Sequence, residues 1–350
     1  MPAESVFMSL EKVPGQLRAK RFLKQLVRTG HVPHALLFSG MAGVGKMAMA
    51  LEFAKLLNCL DPHDTDCCDV CSSCRKFDGG HHPDWVWVKK DGASIKLDQI
   101  RELKDRLRYR PFEGLWRVVV IQGAQDMREE AGNALLKLLE EPPKHNIFLL
   151  TVIESQKLLP TIVSRCCHLR FQPLEDEWIE QYLEDTYDMD ADRAHEVARL
   201  AEGGLDRARW LAEENRIAHW REVLDNIRKL SEAPMIDFFT LTAQWSQKSE
   251  DLEQDLECIK LWVRDLVLSR LMMDYRSALP LDAKTLSAVQ GVSVEYLFQL
   301  YDLIDRAVQR LRLNPNKQLM LEGLCLAIKD GLYGKGSWNS ISQWRENLSF

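Results

Sequence analysis

The 350-residue sequence has no apolar run near the ~18 residues that a membrane span requires, so no membrane-embedded part is expected. Its opening stretch, MPAESVFMSLEKVPGQ, has neither the basic start nor the apolar core of a secretory signal. A soluble, cytoplasmic protein without a membrane partner is therefore expected. Positive charge is not in excess: 46 Lys+Arg against 52 Asp+Glu leave a net charge of −6. That excludes a polycation that coats nucleic acid, though not a local basic face. Internal repeats and low-complexity tracts are also absent. The length suits two or three domains, and 46% hydrophobic with 28% charged residues is ordinary globular composition.

Short apolar runs at 34–40, 85–88, 117–123, 146–152 and 166–171 predict strands, each closed by glycine or polar residues. Amphipathic stretches at 47–58, 97–109 and 129–141 predict helices between them, the last stopped by Pro142-Pro143. This alternation predicts an α/β domain over 1–172, with a parallel sheet covered by helices on both faces. An acidic helical stretch at 173–211, with Trp178, Tyr182 and a Gly203-Gly204 break, is small enough to be a lid. Residues 212–335 are helical in pattern almost throughout, and their Trp and Leu content at helical spacing is expected to be core. Asn314 or Asn316 stands near the start of a helix with Leu321, Leu324 and Ile328 on one stripe. Residues 336–350 look like a tail.

Gly40-Met-Ala-Gly43-Val-Gly45-Lys46 follows the first strand and opens a helix. There, glycines let backbone N–H groups curl toward a phosphate, and a lysine reaches its outer oxygens. What such a loop needs for hydrolysis is missing. Position 47 should carry a hydroxyl for Mg²⁺ and holds Met47, a poor ligand for a hard cation. The third strand should end on carboxylates and ends on Gln122-Gly123. Autonomous hydrolysis is not expected; bare binding of ATP or ADP through the glycines and Lys46 stays open.

Five of nine cysteines lie between Cys59 and Cys74. Cys59, Cys68, Cys71 and Cys74 give the spacing C-x8-C-x2-C-x2-C, which suits a closed, structural Zn²⁺ site stapling the 59–74 insertion. Cys67 could replace Cys68. His81 and His82 follow, and are expected to shape the approach to the next strand rather than bind metal.

Together, Gly15-Gln16, HALLFSG, GMAGVGK, the cysteine insertion, HPDW, NALLKLLEEPP and LPTIVSRC strongly resemble the delta-prime subunit family of the bacterial DNA polymerase III clamp loader. The resemblance is dense over 15–172 and looser over the lid and 314–324. It implies an AAA+-type P-loop domain with a helical lid and an all-α collar that joins subunits. Implied partners are ATP-hydrolysing gamma/tau and delta subunits, and through them the sliding clamp and primed DNA. Arg165 looks like an arginine finger for a neighbour's ATP, with Ser164 and Cys166 positioning its loop. A guanidinium is always charged and suits a transferring phosphoryl group. A salt bridge within the domain is the plainer alternative. Thr151 matches a sensor position, and Arg207 stands where active relatives carry a phosphate-sensing arginine on the lid. Delta-prime members commonly lack a working ATPase site, in keeping with Met47, Gln122 and Gly123.

Residues 89–117 carry nine basic against five acidic side chains. Arg101, Lys104 and Arg108 on neighbouring turns would form either a DNA-facing surface or a solvated helix face. Two other readings compete with this one. An active gamma/tau-type ATPase requires the missing hydroxyl and acids. A lone zinc-dependent DNA-binding module fits poorly with Asp61, Asp64, Asp66 and Asp69 in the cysteine loop.

Overall fold

The computed structural model describes residues 10–232, 234–248, 251–272, 275, 277–279, 281, 283–311 and 315–333. Five strands, β1 (Ala35–Ser39), β2 (Trp85–Val88), β3 (Arg117–Gln122), β4 (Asn146–Val152) and β5 (Cys167–Arg170), form one sheet in the order β2-β3-β4-β1-β5. Every neighbouring pair is parallel. Covering both faces of a parallel sheet demands apolar side chains in both directions, which is why the runs are continuous rather than alternating. β1 and β4 are buried at every position.

Successive side chains feed two cores. Leu37, Val119, Ile121, Phe148 and Leu150 face α4 (Leu97–Arg106), α5 (Glu129–Glu140) and α6 (Pro160–Val163). On the other face Leu36, Phe38, Val118, Val120 and Leu149 meet α1 (Leu17–Thr29), α2 (Lys46–Asn58) and α3 (Ser72–Asp78). α5 stops just before Pro142-Pro143, which cannot donate backbone hydrogen bonds. The lid region holds α7 (Asp176–Tyr187), α8 (Ala191–Ala201) and α9 (Leu205–Ala212), with Gly203-Gly204 separating the last two.

The chain divides between Trp210 and Leu211 into two compact units. Among its described residues the second unit is helical: α10 (Arg216–Glu232), α11 (Met235–Lys248), α12 (Leu252–Leu271), α13 (Ala283–Gln290), α14 (Val294–Leu311) and α15 (Lys317–Ile328). Trp220 and Trp262 are fully buried in it, as are Leu321, Leu324 and Ile328 of α15. Asn316 caps α15, its side-chain oxygen accepting the Leu319 N–H at 3.1 Å. Asn314 and the tail at 336–350 lie outside the described residues. Among the described residues no helix is long and apolar enough to cross a membrane.

Candidate functional site

The phosphate loop sits where β1 gives way to α2. Gly40, Gly43 and Gly45 all take positive φ (150°, 78° and 90°). At Gly43 a Cβ would come within 2.7 Å of the Asp206 backbone nitrogen, so only glycine lets α9 pack onto the loop. The Leu205 N–H donates to the Gly43 carbonyl at 3.1 Å, tying lid to loop. Buried Gln16 adds a second tie: its amide donates to the Val44 carbonyl (3.2 Å) and the Gln172 carbonyl (2.7 Å), and its oxygen accepts the Gln172 N–H (3.0 Å).

Beside the loop lies a cavity of about 800 Å³, lined by Gly43, Gly45, Lys46, Met47, Thr151, the Gln122-Gly123 strand end and the lid residues Trp178, Tyr182, Asp206 and Arg209. Lys46 donates to the carbonyls of Gly40 (2.5 Å) and Met41 (2.6 Å). Its ammonium is thus held by its own loop. Burial brings Lys46 down to about 8, with Asp206 working the other way. The Gln122 oxygen accepts from the Trp87 indole at 3.1 Å, and the Thr151 hydroxyl accepts the Gly123 N–H at 3.2 Å. Thr151 therefore braces the ends of β3 and β4.

The lid presents a different charge from the one expected. Arg207 turns to Glu202 at 2.6 Å and does not line the cavity. The lining arginine is Arg209, which donates to the Tyr182 hydroxyl at 2.9 Å and covers that ring. A carboxylate, Asp206, also faces the space a polyphosphate would occupy. Sequence spacing could not settle which face of α9 meets the loop; only the packing of Leu205 and Asp206 on Gly43 does.

Arg165 lies far from this cavity. β5 runs beside β1 with Leu36 level with Cys167 and Ser39 level with Arg170. Arg165 stands in the turn two residues before β5, next to the strand end that begins level with Leu36, while the phosphate loop opens past Ser39 at the other end. In the chain by itself Arg165 donates to Glu140 of α5 (2.7 Å) and to the Thr161 carbonyl (3.0 Å). Ser164 closes α6, its hydroxyl donating to the Thr161 carbonyl (3.0 Å). Cys166 packs against the core, and burial pushes its thiol up to about 12.

The sulfurs of Cys59, Cys68, Cys71 and Cys74 all lie within 4.8 Å of one another. A tetrahedral zinc–thiolate centre needs about 3.8 Å between sulfurs, so this set could hold a metal. The N–H groups of Cys68, Cys71 and Cys74 donate to the sulfurs of Cys59, Cys68 and Cys71 at 3.2, 3.3 and 3.4 Å. Burial opposes a Cys71 thiolate, but the N–H groups of Cys74 and Leu60 outweigh it and bring that thiol down to about 6.

Cys67 stands apart, its thiol 3.2 Å from Asp69. The Lys55 ammonium, fully buried, joins that second group by bonding Asp69 (2.6 Å) and Asp78 (2.7 Å). His82 is buried, stacks on Phe77 at 4.0 Å and accepts the Asp84 N–H at Nδ1 (3.1 Å). The basic stretch divides. Lys89 and Lys90 line the loop cavity, and Arg117 is buried. On α4 and the turn after it, Arg101 pairs with Asp98 and Arg108 with Asp105 at the surface.

A parallel five-stranded sheet, a glycine-rich loop opening α2 and a helical lid seated on that loop define an AAA+-type P-loop module. The profile of the family described as "DNA polymerase III, delta subunit" matches residues 15–175. The DNA polymerase III subunit delta' of Bacillus subtilis is 30% identical over 325 residues, 90% of this chain and 97% of that protein. The chain belongs to the DNA polymerase III delta-prime family. The DNA polymerase III subunit tau of Escherichia coli is 38% identical over 200 residues, 55% of this chain but 31% of that protein. Among solved structures, a DNA polymerase III gamma subunit-related protein of Thermotoga maritima matches at TM-score 0.46 and 19% identity, covering 92% of this chain and 99% of its own.

Proposed function

We propose that this chain is a clamp-loader subunit that does not turn over ATP itself and lends Arg165 to the ATP of a neighbouring gamma/tau subunit. The observation that carries the reading is the separation of Arg165 from the chain's own phosphate loop, at opposite ends of parallel strands. From there it can serve only a nucleotide bound elsewhere. Its surface pairing with Glu140 is no obstacle, since exposed ion pairs contribute at most about 1 kcal/mol and a triphosphate offers more charge. Further support comes from the cavity: Met47 offers no hard ligand, Gln122 is engaged by Trp87, and Asp206 places negative charge opposite Lys46. In this reading the four thiolates bind a structural Zn²⁺ and the helical unit joins neighbouring subunits through a collar. The other partners would be delta, the sliding clamp and primed DNA.

The test is reconstitution with gamma/tau and delta subunits. Arg165→Ala is expected to lower DNA-stimulated ATP hydrolysis about tenfold or more while assembly persists. The isolated chain should hydrolyse no ATP. An unchanged rate in an intact complex would sink the reading. A second reading, an active gamma/tau-type ATPase, draws on the 38% identity to the tau protein. It requires turnover by the isolated chain.

A further inference from the structure

Arg165 and Glu140 hang on one tightly packed pair of helices. α5 lies so close to the entry of α6 that a Cβ at Gly132 would meet Leu159 Cδ1 at 2.9 Å. Leu135, Leu138 and Leu139 of α5 share a core with Ile162 of α6, and Val163 and Cys166 pack against it. The Arg165 N–H donates to the Ile162 carbonyl at 3.1 Å, and the Cys166 N–H to the Val163 carbonyl at 3.2 Å. The main chain of Arg165 is therefore held on both sides. Glu140 is the last residue of α5, which Pro142-Pro143 cannot extend.

The side chain is anchored as well. Nη2 of Arg165 donates to Glu140 at 2.7 Å, while Nη1 donates to the Thr161 carbonyl at 3.0 Å and lies 3.4 Å from the Ser164 hydroxyl. These bonds occupy at most three of the five guanidinium N–H groups, so at least two remain for a phosphate. An anchor on Nη1 alone would let the planar fork swing about that bond. Anchors on both terminal nitrogens fix its plane. The arginine side chain is 35% exposed and the glutamate 49%, so the tether sits where water, or a neighbouring subunit, can reach it.

We infer that Glu140 is a positioning residue for Arg165, holding its guanidinium ready for a neighbour's phosphates through the hydrogen bond it accepts. The inference rests on the proposed finger role of Arg165. Freezing a long arginine costs conformational entropy, and a tether that orders it beforehand leaves less to lose when the nucleotide arrives. A surface pair favours one side-chain arrangement by at most about fivefold. A finger acts on the transferring phosphoryl group, so losing that preference slows turnover and leaves ATP binding untouched. The role needs the acceptor oxygen of Glu140 and not its charge, which sets it apart from a carboxylate that merely competes with phosphate for the finger.

The test is steady-state ATP hydrolysis by complexes reconstituted from gamma/tau, delta and each variant of this chain, with clamp and primed DNA, over a range of ATP concentrations. Glu140→Ala should lower kcat about three- to fivefold at unchanged KM, with assembly and thermal melting unaltered. Glu140→Gln keeps the acceptor oxygen and should return the rate to within about twofold of wild type. In an Arg165→Ala background, Glu140→Ala should slow nothing further, whereas a general disturbance of α5 would still add its own loss. Glu140→Ser takes the place of the alanine variant if that one fails to assemble. A wild-type or faster rate for Glu140→Ala, a change in KM alone, no rescue by glutamine, or an added loss beside Arg165→Ala would each overturn the inference. A slow Arg165→Ala complex beside a normal Glu140→Ala one removes this inference only. Normal turnover by the Arg165→Ala complex removes the finger reading, and the inference with it.

Discussion

Asp84 shows how one buried carboxylate sets a surface. Burial works against its charge, but the N–H groups of Glu113, Gly114 and Phe112, together with Arg117, outweigh that and hold it below the usual carboxylate range. An asparagine there keeps one acceptor and turns an NH₂ toward N–H donors. Asp84→Asn should destabilise the chain by roughly 2–3 kcal/mol at pH 7, the scale for an unsatisfied buried group. A group lowered in the folded state contributes stability that is full above its unfolded value, about 4, and is lost as pH falls through the folded value. Urea midpoints of the wild type should therefore drop as pH falls below about 4, while those of Asp84→Asn start lower and change less. Parallel pH profiles for the two proteins would contradict this account.

At the scale of elements, the cysteine insertion is a short loop docked by charge on one side and gathering four thiols on the other. Asp69, between Cys68 and Cys71, bonds Lys12 (2.6 Å) and Lys55 (2.6 Å). Burial opposes the Asp69 charge, but these two lysines bring the carboxyl down to about 2. If the staple is zinc, purified protein should carry one equivalent of metal. Cys71→Ser should lose it and melt several degrees lower, as structural zinc contributes folding energy directly. Metal-free wild type with an unaltered melting curve would refute the staple.

The cysteine spacing was legible because four thiols two and eight residues apart have few other uses; the choice of Cys68 over Cys67 was not, since it depends on which thiol turns toward Lys55 and Asp69. The five strands were legible for a similar reason, as continuous burial leaves only apolar residues to read. The lid arginine was not. The resemblance points to Arg207, but in the packing of α9 on Gly43 Arg207 turns to Glu202 and Arg209 lines the cavity. Arg117 looked like part of a basic face, yet its carbonyl partners hold it inside.

At the scale of the P-loop unit, the sheet sets Arg165 and the phosphate loop at opposite ends. Arg165 lies at one end, and at the other is a phosphate loop whose lysine bonds its own backbone and faces Asp206. If such a loop binds ADP, the electrostatics of the cavity fix how that binding responds. A carboxylate about 10 Å from phosphate opposes each unit of its negative charge by roughly 1.7 kcal/mol at an effective dielectric near 20, tenfold or more in affinity before salt screens it. Asp206→Asn should therefore tighten ADP binding about tenfold at pH 6.5 and low salt, read by fluorescent-ADP titration. Lys46, brought down to about 8 by burial, attracts phosphate only while protonated, so wild-type affinity should be present below pH 8 and fall as pH rises through it. Since Asp206 works to keep Lys46 protonated, the same fall in Asp206→Asn should begin at a lower pH. Identical affinities in the two proteins, or binding indifferent to pH, would mean that the lid carboxylate does not oppose phosphate in this pocket.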